Sequence, residues 1–129
     1  MVAGKMSTPL GRVRGLGAAR SGTEHFWRQR VTGVAMVPLT IAFVLVVIYL
    51  AKASQATAIA TLSLPLIAIL MFFFVVAGIV HMRIGMQVII EDYVHDEKLK
   101  MAAVMANTFF SLLIGAACTY ALLKLNFGI

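Results

Sequence analysis

The chain has very little acid. Its 129 residues carry 5 Asp or Glu against 11 Lys or Arg, and charged residues make up only 12% of the total. Soluble domains carry roughly twice that charged share, so a water-soluble globule is excluded. No Asp or Glu lies between Gly33 and Ile90, which argues against a small transporter that works through an intramembrane carboxylate. The single Cys118 rules out an internal disulfide. In an apolar run its thiol is a small hydrophobe. Also missing are a phosphate-binding G-x-x-x-x-G-K-[ST] loop, paired cysteines, an H-E-x-x-H zinc motif and the spacing of a catalytic triad. Nothing marks the chain as an enzyme by itself, and it has no internal repeat.

What is present is apolar. Hydrophobic residues reach 61% and mean hydropathy is +0.96. Three stretches are free of Lys, Arg, Asp and Glu: Gly33 to Ala51, Ala53 to Met82 and Met101 to Leu123. Each has roughly the 20 residues needed to cross a hydrocarbon core of about 30 Å. The expected fold is an all-α membrane protein with three transmembrane helices, near residues 31–51, 64–90 and 101–124, in one membrane domain over 23–129. Lys5, Arg12, Arg14, Arg20, Arg28 and Arg30 precede the first span, and Lys98 and Lys100 lie between the second and third. Only Lys52 and Lys124 fall near the other boundary. The positive-inside rule therefore puts the N-terminus in the cytoplasm and the C-terminus outside. The net charge of +6 needs no nucleic acid to explain it.

Residues 1–22 are Gly- and Arg-rich and acid-free, a basic flexible tail suited to an anionic inner leaflet. The same composition also fits a mitochondrial transit peptide. Ser21 or Thr23 can cap the helix that follows, and Trp27 with its neighbouring arginines belongs at the interface. Lys52 to Ser63 is expected to be a tight outer connection, Pro65 the first turn of the second helix, and EDYVHDEKLK a short inner loop. Asn107, Ser111, Gly115 and Thr119 recur at four-residue spacing, a small and polar stripe for close helix packing.

The segment HMRIGMQVIIEDYVH, residues 81–95, carries the functional signal. His81 sits late in the second apolar run, and an ionisable group there points to function. Asp92 lies eleven residues on, about 16 Å along a helix and close to the same face. Gly78 and Gly85 flank His81 at i−3 and i+4, which clears side chains as a flat porphyrin would require. A structural hydrogen bond between helices is the other reading of such a histidine. His25 and His95 are placed at the boundary, so a six-coordinate haem would take its other ligand from another chain. Tyr93 and Asp92 fit either an interfacial belt or a polar site. Arg83, about 200° from His81, faces away from any ring bound there.

HFWRQRVTGVAMVPLT, the three spans and H-x₃-G-M-x₅-D-Y together resemble the hydrophobic membrane anchor subunits of bacterial succinate dehydrogenase, over roughly residues 21–124. These are the smaller anchor polypeptides of respiratory complex II. The resemblance implies a heteromeric helix bundle in the bacterial inner membrane. A second membrane anchor (the cytochrome b subunit), an iron–sulfur subunit and a flavoprotein subunit would be the partners. It implies that His81 is an axial ligand of haem b and that Arg30 lies near the haem propionates. It further implies that Tyr93 and Asp92 serve ubiquinone. The order Glu24-His25 before the first span and the cation at Arg83 depart from the family pattern, so the roles of His25 and Arg83 stay open. A fumarate reductase anchor shares this topology, and a cofactor-free packing or transport protein is the reading from a different class.

Overall fold

Apolar segments in a bilayer must satisfy their backbone groups internally, which favours helices. The computed structural model describes residues 8–15 and 20–128, with backbone alone for 11–12 and 20–23. Among the described residues all regular structure is helical: α1 Pro9–Val13, α2 Arg20–Leu50, α3 Gln55–Leu62, α4 Pro65–Tyr93 and α5 Glu97–Phe127. Three are long and apolar enough to cross a membrane: Glu24–Leu50 within α2, then α4 and α5, at 27, 29 and 31 residues. At about 1.5 Å per residue each exceeds the hydrocarbon core, so the ends project or the helices tilt.

The boundaries differ from those expected. Residues 1–7 and 16–19 of the N-terminal tail lie outside the described residues, but Pro9–Val13 is helical. α2 starts at Arg20, ahead of both Ser21 and Thr23. The outer connection contains α3, which Ser54 opens by accepting the Thr57 N–H at 3.2 Å. Ser63 then donates to the Leu125 carbonyl at 3.0 Å and ties that connection to the end of α5. The inner loop shrinks to residues 94–96. Asp96 accepts the Leu99 N–H at 2.8 Å and Glu97 occupies the first turn of α5. An aspartate cap and an acid beside it suit a helix N-terminus, which is why the acidic EDYVHDE run does not stay a loop. Pro65 takes the first turn of α4, as expected.

α4 is the middle helix, packed by α2 on one side and α5 on the other. The small polar stripe does pack: Ser111 is 1% exposed, and a Cβ on Gly115 would lie 3.6 Å from the Ile79 side chain. Asn107 Nδ2 donates to the Arg83 carbonyl at 2.9 Å, an interhelical bond of the kind that joins membrane helices. On the α2 side, Phe43 stacks on Phe74 at 4.4 Å. Among the described residues only Met71, Ile84 and Ser111 are buried. So open an apolar bundle leaves most of its side chains to lipid or to other chains.

Candidate functional site

The second span, α4, brings His81 against α2 at a point where α2 has almost no side chain. A Cβ on Gly33 would lie 3.2 Å from His81 Cε1 and 3.6 Å from Nδ1. Next to it, Thr32 Oγ1 is 3.2 Å from His81 Nδ1. The same hydroxyl lies 2.7 Å from the Arg28 carbonyl and 3.2 Å from that of Gln29. A helical threonine commonly bonds back to the preceding turn in this way, which orients its side chain. His81 itself is half-buried.

Gly78 and Gly85 do not face open space. A Cβ on Gly78 would meet Met36 at 3.7 Å, and one on Gly85 would lie 3.0 Å from Gln29 Nε2. Side chains of α2 stand over both glycines in this structure. Gly85 lets the two helices approach, a common use of small residues in membranes, while a Cβ at Gly78 would make only an ordinary contact. The contacts Gln29–Gly85, Gly33–His81 and Met36–Gly78 step in opposite directions along the two helices, so α2 and α4 are antiparallel.

An apolar groove of about 380 Å³ runs along this seam, lined among others by Thr32, Ala35, Pro38, Phe73, Ala77 and Val80. Ala77 and Val80 precede His81 by four residues and one, and Thr32 holds its ring. The imidazole thus stands beside a greasy slot made by small residues and a proline.

The other expected residues stand apart from this group. Asp92 and Tyr93 occupy the last turn of α4 and are exposed, Tyr93 at 77%. Twelve residues of helix put Tyr93 about 18 Å from His81 along the axis. Among the described residues neither Asp92 nor Tyr93 has a side-chain hydrogen bond, whereas Glu91 accepts one from Gln87 at 2.8 Å. Arg30 is exposed and sits 4.3 Å over the Phe26 ring. Two residues from Thr32, it points to nearly the opposite side of α2. Arg83 is exposed, and the ion pair formed among the described residues joins Glu24 to Arg28 instead. His25 and His95 are exposed, on α2 and in the 94–96 link. No three His, Cys, Asp or Glu residues gather into a metal site among the described residues.

The spacing of residues within the second span found His81 but missed Gly33 and Thr32. Their signal in the sequence is the small, hydroxylic V-T-G step inside an otherwise bulky run. It becomes meaningful only when the register between the helices is known. Gln29 Oε1, buried without a partner among the described residues, lies on the same seam.

Residues 4–115 match a family described as the succinate dehydrogenase/fumarate reductase transmembrane subunit. The chain is 35% identical to a succinate dehydrogenase hydrophobic membrane anchor subunit of Paracoccus denitrificans, over 94% of this chain and 93% of that protein. It is similar to a succinate dehydrogenase membrane anchor subunit of Reclinomonas americana, at 34% identity over 66% of this chain and 73% of the relative. A hydrophobic membrane anchor subunit of succinate dehydrogenase from Rickettsia bellii shares 28% identity over 79% of this chain and 82% of its own length. No solved structure gives a significant match.

Proposed function

The chain belongs to the succinate dehydrogenase/fumarate reductase transmembrane subunit family, and we propose that as a membrane anchor it also contributes to one haem b and one ubiquinone site. Its partners would be a second membrane anchor (the cytochrome b subunit), an iron–sulfur subunit and a flavoprotein subunit. In this reading the chain lies in a bacterial inner membrane, with its basic N-terminal segment on the cytoplasmic side.

The observation that carries the reading is the imidazole of His81 in an acid-free span, held at Nδ1 and set beside the α2–α4 groove. That donor set fits haem b: one neutral nitrogen for the iron and an apolar slot for the edge of a macrocycle. When bound, haem supplies one-electron chemistry whose potential depends on axial ligation and burial. His81 would bind through the nitrogen that Thr32 does not hold. Ala35, Pro38 and Ala77 would exclude water from the ring edge. Gly33 and Gly85 keep α2 close on α4, and Gly33 leaves room for the ring of His81. Arg30, which points away from the His81 side of α2, would meet a propionate on the strength of the family resemblance alone.

At the end of the same helix, Tyr93 presents a hydroxyl that can donate to a quinone carbonyl oxygen. The Asp92 carboxylate beside it can hold or pass a proton from the aqueous side. Their exposure leaves both free to be covered by another subunit, which would complete the pocket. In succinate oxidation the chain would therefore support electron delivery to quinone without touching succinate.

The test is a dithionite-reduced minus oxidised spectrum of the purified complex, with identification of the co-purifying chains. A b-type signal that His81→Ala abolishes or shifts supports the assignment, and an unaltered six-coordinate haem in His81→Ala refutes it. His25→Ala and His95→Ala should leave axial ligation intact.

A further inference from the structure

A threonine hydroxyl has one proton to give and two lone pairs to accept with. Thr32 Oγ1 has three neighbours: the Arg28 carbonyl at 2.7 Å, the Gln29 carbonyl at 3.2 Å and His81 Nδ1 at 3.2 Å. The carbonyls can only accept. The hydroxyl proton therefore goes to them, chiefly to the nearer Arg28 oxygen. What Thr32 turns toward His81 is a lone pair, which requires a proton on Nδ1. The neutral imidazole then carries its free lone pair on Nε2, and Nε2 has no hydrogen-bond partner among the described residues.

We propose that Thr32 is a positioning residue that fixes the tautomer and ring orientation of His81, leaving Nε2 as the metal-binding nitrogen. Flipping the ring by half a turn would set a carbon against the Thr32 oxygen and break the bond. The ring takes up the space that a side chain at Gly33 would need, since a Cβ there would lie 3.2 Å from Cε1. Thr32 is in turn fixed by its bond to the preceding helical turn, so the order of constraint runs from the α2 backbone through Thr32 to His81. Metal-bound histidines in general donate their other N–H to a fixed acceptor, which sets the tautomer and raises ligand basicity. This inference rests on the reading of His81 as a haem ligand.

The experiment uses the assembled complex with Thr32→Val, Thr32→Ser and His81→Ala, reading the electron paramagnetic resonance of the oxidised haem and its midpoint potential. Valine keeps the branched shape and removes the acceptor, while serine keeps the hydroxyl. Losing the acceptor makes His81 a poorer electron donor and favours ferrous haem. Thr32→Val should therefore shift the ferric/ferrous balance toward ferrous by up to about tenfold, a rise of up to about 59 mV for one electron. Its low-spin g values should change as well. Thr32→Ser should match the wild type on both readouts. Wild-type values in Thr32→Val, or equal changes in the serine and valine variants, would overturn the proposal. Should Thr32→Val assemble without haem, a haem-bearing Thr32→Ser supports the hydroxyl's role, and a haem-free Thr32→Ser refutes it. An altered spectrum in His81→Ala alongside a silent Thr32→Val removes the role of Thr32 alone. An unaltered His81→Ala removes the ligand assignment beneath it.

Discussion

Gly33→Ala adds a single methyl group at the tightest point of the α2–α4 seam. In an ordinary helix the change would help by about 0.8–1.0 kcal/mol, because glycine is the poorer helix former. Here the new Cβ would lie 3.2 Å from His81 Cε1, inside the roughly 3.5–4.0 Å optimum for carbon contacts. Overpacking of this kind costs about 1–3 kcal/mol. The two effects nearly offset, so net destabilisation should be about 0–2 kcal/mol and the complex should assemble. The ring of His81 is what must give, by a few tenths of an ångström. Its Nδ1 is already 3.2 Å from Thr32, at the long end for an N–H···O bond, so that shift weakens it further. Gly78→Ala is the matched control: its Cβ meets the flexible Met36 at 3.7 Å, an ordinary contact. Thermal denaturation of the detergent-extracted complex, followed beside the haem spectrum, separates the outcomes. Gly33→Ala should perturb the haem with modest loss of stability, and Gly78→Ala should leave the haem alone and be neutral or stabilising. A silent Gly33→Ala with a perturbed haem in Gly78→Ala would refute the reasoning.

Tyr93→Phe keeps the ring and removes the hydroxyl. Assembly, haem content and succinate oxidation with a soluble acceptor should persist, while quinone reduction falls several-fold, as the loss of about 0.5–1.5 kcal/mol of hydrogen bonding implies. Wild-type quinone turnover and inhibitor affinity would reduce Tyr93 to an interfacial aromatic. Cysteines placed at Ser54 and Gly128 should be labelled from outside intact cells, and cysteines in residues 94–98 should not; outside labelling of the latter inverts the topology. Asn107→Ala removes the bond to the Arg83 carbonyl and should cost about 0.6 kcal/mol, at most about 1.7. Ser111→Leu forces bulk into a 1%-exposed position and should cost more, about 1–3 kcal/mol. Comparing the two melting temperatures checks that order.

Features that depend on one helix alone were legible in the sequence. Charge-free length located the three spans, and Pro65 opens α4 where the pattern places it. The stripe from Asn107 to Gly115 packs on α4 because four-residue spacing defines one face whatever lies opposite. Local capping chemistry sets the helix ends. Ser54 and Asp96 each satisfy an orphan N–H of a helix start, and so turn expected loops into α3 and the first turn of α5.

The site itself depends on two helices at once, and that is where single-helix spacing fails. Gly78 and Gly85 do lie on the His81 side of α4, but spacing within α4 cannot say whether a cofactor or a neighbouring helix fills the clearing. The antiparallel pairing sets Met36 and Gln29 against those two glycines and leaves Gly33 for His81. Once that register is fixed, Thr32 follows without further choice, since the residue before Gly33 in the chain is the one whose hydroxyl reaches Nδ1. Sliding α2 by one turn, about 5.4 Å, would bring Gln29 or Arg30 to His81 in one direction and Met36 or Val37 in the other. All four are too bulky to seat an imidazole where Gly33 now does. The V-T-G step thus bears on the register as well as on the seat of the histidine, and bulk added at Gly33 should disturb helix pairing and the His81 ring together.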